Sequence, residues 1–168
     1  MPLPALLAGA LLLTGCGKTP PSASAADAEF NALVAACSQS VAARPAVVQP
    51  DGQGGWTKTG FSAAKVEGEV QRTDTPATPY VGKIVIKDNH ARATAGTQAE
   101  AEATTLAPIH LLANRTHTFI YRHDGQRWHW QNGMRLSKRT SQADVITPLT
   151  LADVLAADDN GFAGCVPR

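Results

Sequence analysis

The sequence predicts an α+β fold, in which an N-terminal helix packs on an antiparallel sheet of about four or five strands and a short C-terminal helix closes the domain. Three observations support this class: apolar residues recur at helical spacing near the N-terminus, several later segments alternate between apolar and polar residues, and a capped helical segment begins near position 150. Because the chain has 168 residues, 43% of them hydrophobic, we expect one core and one domain over residues 26–168.

The first helix is predicted from a single apolar stripe. Its members recur three or four positions apart, as residues on one face of a helix do. Arg44 and Pro45 mark its end, because proline disfavours helical backbone in the residue before it. The stripe consists of Phe30, Leu33, Val34, Cys37 and Val41.

Two strands follow in the middle of the chain. Residues 65–72 and 80–87 both alternate between apolar and polar side chains, which is typical of strands with one buried face. If these strands pair in antiparallel orientation, Glu67 and Glu69 lie across from Lys83 and Lys87 on a solvated face. Residues 89–105 are interpreted as a loop with a possible short helix, and residues 106–113 as a strand or a bend into one.

The clearest tertiary pattern is an aromatic hairpin at residues 116–132. Asp124 and Gly125 predict a two-residue turn. That turn pairs Tyr121 with Trp128 and Phe119 with Trp130 on the same face, whereas a three-residue loop would scatter the four rings. Trp56, in a loop before the strands, is either a core side chain or an exposed contact.

The other face of the hairpin is predicted to be basic. With a two-residue turn, Arg122 and Arg127 lie directly opposite each other, which is unfavourable unless an anion lies between them. Residues 110–142 hold six Lys or Arg and one acidic residue, which leaves nine basic (15 minus 6) and thirteen acidic (14 minus 1) residues elsewhere. An ordinary solvated strand face is the alternative. The residues predicted to bind an anionic partner are Arg115, Arg122, Arg127, His129 and Arg135.

Four histidines also fall in this region, but their spacing argues against a metal site. His117 and His123 are six residues apart on one strand, about 20 Å at the usual rise, and His129 points to the opposite face. The sequence contains no motif for a metal, for a nucleophilic enzyme or for phosphate binding. We therefore predict no catalytic residue, no metal, no cofactor and no nucleic-acid partner.

The N-terminus carries the most specific motif of the chain. An uncharged apolar run ends in Leu13, Thr14, Gly15 and Cys16, and this resembles the lipobox of bacterial lipoprotein precursors. The run is shorter than the roughly 20 apolar residues of a membrane-spanning helix, as expected for a signal peptide. It lacks the Lys or Arg that usually opens such signals, which leaves open a wrongly assigned start site. An ordinary cysteine after an apolar run is the alternative for Cys16.

The resemblance implies cleavage before Cys16 and attachment of fatty acyl chains such as palmitate to that residue. Residues 1–15 are then the signal peptide and residues 16–25 the lipidated cysteine and its tether. Because Gly17, rather than an aspartate, follows Cys16, the sorting rule of enteric bacteria implies an outer-membrane lipoprotein facing the periplasm. The lipid bilayer is accordingly the first predicted partner.

Two cysteines remain once Cys16 is assigned to lipid. In an oxidising compartment a single pair is most simply a disulfide, which would join Cys37 on the first helix to Cys165 near the C-terminus. Two buried free thiols are the alternative.

The sequence does not specify a molecular function. A helix on an antiparallel sheet is similar in layout to cystatin-like and nuclear-transport-factor-2-like folds, but layout does not confer function. We expect a periplasm-facing binding module for an anionic protein or envelope component, possible versions being an inhibitor or immunity lipoprotein. A structural or assembly accessory of an envelope complex is the second hypothesis, and a small hydrolase with a dispersed site is the third.

Overall fold

A computed structural model describes residues 23–156 and 162–168 and shows an α+β domain. The predicted signal peptide, Cys16 and the chain up to residue 22 lie outside the described residues. Helix α1 spans Ala23–Ala42, so it begins within the segment predicted as tether. Its predicted apolar stripe is confirmed, because Phe30, Cys37 and Val41 are buried and the other two members pack against the core.

Within the described residues the sheet has seven strands, more than the four or five expected. All pairs are antiparallel, in the order β1-β2-β4-β5-β6-β7, and β3 pairs with the first half of β4 beyond the end of β2. The strands are β1 (Val47–Pro50), β2 (Trp56–Phe61), β3 (Lys65–Arg72), β4 (Tyr80–Ala95), β5 (Leu111–His123), β6 (Trp128–Lys138) and β7 (Val145–Leu149). Two short helices, α2 (Gln98–Ala103) and α3 (Leu151–Leu155), complete the described elements of regular structure together with two short 3-10 turns.

Helix α1 packs on one face of the sheet, here called the inner face. Phe30 lies over Gly82 of β4, and Val34 lies over Gly68 of β3. A Cβ atom at either glycine would overlap the helical side chain above it, so these glycines allow the close approach of the helix. The Phe30 ring also contacts Tyr121 and Trp128, with centroids 5.6 and 4.7 Å apart.

The predicted aromatic face of the hairpin is confirmed. Phe119 and Tyr121 contact Trp130 at centroid distances of 5.2 and 5.8 Å, and Trp128 joins the same core. The polar atoms of the buried rings are satisfied: the Trp128 indole donates to the Ala26 carbonyl at 3.1 Å, and the Tyr121 hydroxyl donates to a backbone carbonyl near the C-terminus. Burial raises the pKa of Tyr121, so this hydroxyl stays a donor.

The disulfide between Cys37 and Cys165 is confirmed, with the two sulfur atoms 2.09 Å apart and both residues fully buried. It joins α1 to the C-terminal segment 162–168. The Tyr121 hydroxyl donates to the Cys165 carbonyl at 2.7 Å, so the same segment is also attached to the sheet.

Several local predictions are also confirmed. Lys83 lies opposite Glu69 in the register of β3 and β4, with the ammonium 2.7 Å from the carboxylate, and Lys87 reaches Glu67 at 3.9 Å. Helix α3 begins with a capping box between Thr150 and its third residue. Residues 98–103 form the short helix allowed within 89–105, but β4 extends through Ala95 into that segment. The loop predicted around Trp56 is wrong, because Trp56 begins strand β2 and pairs with Ala95. Its side chain is only partly buried and lies outside the core cluster.

No helix among the described residues is both long and apolar enough to cross a membrane. The sheet has a hairpin end and a far end. The hairpin end contains the β5–β6 turn at residues 124–127 together with the start of β4. The far end contains residues 51–55 and the end of β4.

Loss of the disulfide should destabilise the domain. In a Cys37→Ser variant we expect the free energy of unfolding to fall by about 3–5 kcal/mol, because the unfolded chain loses a long closed loop. Thermal unfolding followed by circular dichroism measures this change. The matched control is the double variant Cys37→Ser/Cys165→Ser, which should melt close to the single variant. A melt unchanged from the wild type in either variant would show that the bond does not stabilise the fold.

Candidate functional site

The hairpin turn is closed by the side chain of Asp124. Its carboxylate accepts the backbone N–H groups of Gln126 and Arg127 at 2.8 and 3.0 Å and lies 2.6 Å from Nε2 of His129. These hydrogen bonds hold the pKa of Asp124 far below its usual value, and the one from the Arg127 N–H has the largest effect. Gly125 has a φ of 90°, which a residue with a Cβ atom adopts only with strain.

The predicted register at this turn is wrong. The last strand pair is His123 with Trp128, so four residues, not two, form the turn, and the backbone N–H of Asp124 donates to the Arg127 carbonyl. The longer turn is stabilised by side chains that accept its backbone N–H groups. The Asp124 carboxylate accepts those of Gln126 and Arg127, and Nδ1 of His123 accepts that of Gly125. The predicted pairs of Tyr121 with Trp128 and of Phe119 with Trp130 are therefore also wrong, because Tyr121 pairs with Trp130 and Phe119 with Gly133. The four rings still share one face, because a register shift of two residues leaves each side chain on the same side of the sheet.

The arginine pair predicted to be opposed is therefore absent. Arg122 lies opposite His129, while Arg127 belongs to the turn itself. Both arginines are exposed, and neither has a carboxylate within 4 Å among the described residues. The two guanidinium groups thus lie at the same end of the sheet without facing each other across the ladder.

The five residues predicted to bind a partner do not lie on one surface. Arg122, Arg127 and His129 lie together at the hairpin end. Arg115 and Arg135 belong to the inner face farther along β5 and β6, and Arg115 is only 3% exposed. The structure does not bring these two arginines to the surface that carries the other three.

Arg115 belongs to a buried ionic cluster that the sequence analysis did not find. It donates two hydrogen bonds to Asp88, from Nε at 3.1 Å and from a terminal nitrogen at 2.9 Å, and Arg44 from the end of α1 also donates to this carboxylate. The Arg44 guanidinium lies 3.5 Å from the centroid of Phe61. Burial raises the pKa of Asp88, but the hydrogen bonds and charges of the two arginines more than offset this and hold it far below its usual value.

His117 is fully buried next to this cluster. Its Nε2 lies 3.7 Å from the Asp88 carboxylate, too far for a direct hydrogen bond, and its ring packs on Phe162 at 4.5 Å. Burial lowers the pKa of His117 more than the nearby carboxylate raises it. The imidazole is therefore neutral near pH 7.

A groove of about 920 Å³ opens at the hairpin end, between α1, the turn and the C-terminal segment. Its charged side chains are Glu29, Arg127 and Arg168, and its apolar walls include Leu33 and Val166. Behind it, Nε2 of His123 lies 3.6 Å from the Glu29 carboxylate. This volume falls within the range of small-molecule and peptide sites.

Within the described residues, no group of three or more His, Cys, Asp or Glu side chains is arranged to hold a metal ion. In comparisons of the chain with protein-family models, with curated proteins and with solved structures, no match was found.

The Asp88 cluster should be a major contributor to stability. We expect an Asp88→Asn variant to lose about 3–5 kcal/mol of unfolding free energy at pH 7, because the buried arginines lose the charge that compensates them. Denaturant unfolding measures the loss. Glu69→Gln, which breaks an exposed pair, is the control and should change stability little.

The pH dependence should follow from the same cluster. Because the pKa of Asp88 is lower in the folded than in the unfolded chain, its contribution is complete above about pH 5 and is lost as the pH falls below about 4. His117 adds a separate loss that begins near pH 6.5, where the unfolded imidazole takes up a proton. The Asp88→Asn variant should show a flatter profile below pH 5, and a profile parallel to the wild type would contradict this assignment.

Proposed function

We propose that this chain is a lipoprotein of the bacterial envelope, anchored through acyl chains on Cys16, and that its folded domain is a binding module rather than an enzyme. The observation that carries the binding role is the hairpin end, where Arg122 and Arg127 are exposed and neither has a carboxylate within 4 Å among the described residues. Arg127 lines a groove of about 920 Å³, and Arg122 lies at the same end on the outer side of the sheet. The partner is an anionic protein or envelope component.

The charge of the hairpin end supports an anionic partner. Guanidinium groups form paired hydrogen bonds with carboxylates and phosphates, so arginines without an internal partner favour such ligands. By contrast, Lys83 and Lys87 on the same sheet have glutamate neighbours in β3. Arg122 and Arg127 thus have positive charge available for an external partner.

Asp88 and Asp124, two of the carboxylates that lie next to histidines, do not favour acid–base catalysis. A general base works best when its pKa lies near the working pH. Asp88 and Asp124 each lie close to a histidine, but neighbouring donors hold both pKa values far below the usual range. Both are weak bases at neutral pH, which supports the binding role over the hydrolase hypothesis.

The proposed location is the periplasmic face of the outer membrane. It rests on the lipobox-like segment ending in Cys16 and on Gly17 after it. The disulfide between Cys37 and Cys165 supports it, since such bonds persist in oxidising compartments. A module of this kind at this location fits an inhibitor or immunity lipoprotein that captures an anionic protein.

Charge reversal at the hairpin end tests the binding role. We expect Arg122→Glu/Arg127→Glu to reduce capture of an anionic envelope component at least tenfold without changing the melting temperature, because both side chains are exposed. The assay is a salt-graded pull-down from envelope extracts, read by mass spectrometry.

The control for this assay is Lys65→Glu/Arg139→Glu, which makes the same change in charge at two other exposed positions. It should retain capture. Equal capture by the wild type and by the hairpin variant would place the binding site elsewhere.

One observation favours an assembly accessory as a second candidate. On the outer face of the sheet, opposite the inner face, Met134 and Ile146 are 46% and 65% exposed. Leu136 lies directly opposite Ile146 and is partly buried. β7 is also an edge strand, and edges with exposed apolar residues promote pairing with another chain. A constitutive interface is typically more apolar than a transient one.

Replacement of Met134 and Ile146 by Lys tests this second candidate. If the outer face is a permanent interface, the double variant should leave its envelope complex, and native electrophoresis of detergent extracts should show a smaller species. Val145→Lys is the matched control, because Val145 is exposed on the same strand but points to the other side of the sheet. An unchanged complex in the double variant would exclude this role for the outer face.

A further inference from the structure

Helix α1 begins at the hairpin end of the domain. The Trp128 indole donates to the Ala26 carbonyl there, and Phe30 packs over Gly82 and Trp128. The helix then runs toward the middle of the sheet, where Arg44, just after its last residue, reaches Asp88. The chain preceding α1 therefore joins the domain at the hairpin end.

The length of that chain limits how the domain can stand on a membrane. Cys16 and Ala23 are seven residues apart, which is at most about 25 Å when fully extended. The 16-residue strand β4 runs from the hairpin end to the far end, about 50 Å at the usual rise. With a lipid on Cys16, the domain cannot stand with its far end on the bilayer, because the tether is too short to reach back.

The side chains at the hairpin end suit an anionic surface. Arg122 and Arg127 are exposed and have no carboxylate within 4 Å among the described residues, while Asp124 accepts hydrogen bonds from the turn. The exposed Glu29 of α1 lines the groove together with Arg127 and Arg168, whereas Arg122 points to the opposite side of the sheet from α1. Basic residues close to a bilayer are attracted to its anionic headgroups over about one Debye length.

We infer that the hairpin end faces the bilayer that holds Cys16 and that Arg122 and Arg127 contact anionic phospholipid headgroups. This rests on the proposed lipid anchor, and it identifies the anionic envelope component of the proposed function as the membrane surface itself. The far end, including residues 51–55, then points away from the bilayer.

The test uses the full lipoprotein, purified from membranes with detergent, with the acyl chains on Cys16 verified by intact mass. A fluorophore is attached to Gln126→Cys at the hairpin end or to Gln53→Cys at the far end. Both positions are exposed. Cys37 and Cys165 form the disulfide and Cys16 carries the lipid, so the added thiol is the one free cysteine. The protein is reconstituted into vesicles of phosphatidylethanolamine and phosphatidylglycerol that carry a headgroup spin label as quencher.

We expect quenching of the Gln126→Cys label at least threefold stronger than of the Gln53→Cys label. Arg122→Glu/Arg127→Glu, or replacement of phosphatidylglycerol by phosphatidylcholine, should reduce quenching at the hairpin end at least twofold. The control Lys65→Glu/Arg139→Glu should leave it unchanged. Together these results would support both the orientation and the headgroup contact.

Each of the other outcomes would overturn a specific part of this inference. Equal quenching at the two positions would overturn the orientation. Quenching at the hairpin end that responds to neither charge reversal nor lipid charge would overturn the headgroup contact. Charge-dependent capture of a soluble envelope protein, without charge-dependent quenching, would assign the arginines to that protein. Absence of acyl chains on Cys16 would overturn the anchor and with it this inference, whereas acylated protein without preferential quenching refutes the inference alone.

Discussion

The contact between Phe30 and the sheet determines the placement of α1, and much of the molecule depends on it. Burial of the ring over Gly82 requires a glycine there and places the helix against Tyr121 and Trp128. A buried phenylalanine of this kind contributes several kcal/mol to stability. Once α1 is in place, Cys37 meets Cys165, and the C-terminal segment is fixed between helix and sheet.

The inner face changes character along β4 and β5. Near the hairpin it is apolar, with Ile84 opposite Phe119, and farther along it becomes ionic, with Asp88 opposite Arg115. The transition occurs where α1 ends and Arg44 reaches the sheet. A one-residue slip between β4 and β5 would separate this buried pair, so we interpret the cluster as a device that fixes strand register as much as one that adds stability.

Local patterns in the sequence predicted the fold class, α1, the disulfide and the aromatic hairpin face, because each depends on the spacing of apolar residues or on counting cysteines. They did not predict the full extent of the sheet. The alternation that marks β4 continues past Ile86, where the buried inner-face positions are Asp88 and His90. Polar residues at inward positions do not resemble a buried strand face. Their continued alternation with Ile84 and Ile86 was nevertheless a signal that could have predicted the longer strand.

The hairpin turn was missed for a different reason. Asp124 and Gly125 suit a two-residue turn, but the decisive hydrogen bonds come from the side chains of Asp124 and His123, which accept backbone N–H groups. Turn length therefore depended on side-chain to backbone bonds that apolar periodicity does not encode. The separation of Arg115 from Arg122 could have been predicted, since residues seven apart on one strand lie on opposite faces.

The proposed anchor and the fold together constrain which surface can meet a partner. If a short tether holds the hairpin end at the bilayer, a soluble protein reaches Arg122 and Arg127 only within about 25 Å of the lipid. The outer face, with Met134 and Ile146, lies along the side of the standing domain. This face is open to a neighbour in the same membrane. A lateral partner and headgroup contact at the hairpin end are therefore compatible, because the arginines orient the domain and the outer face is left for assembly.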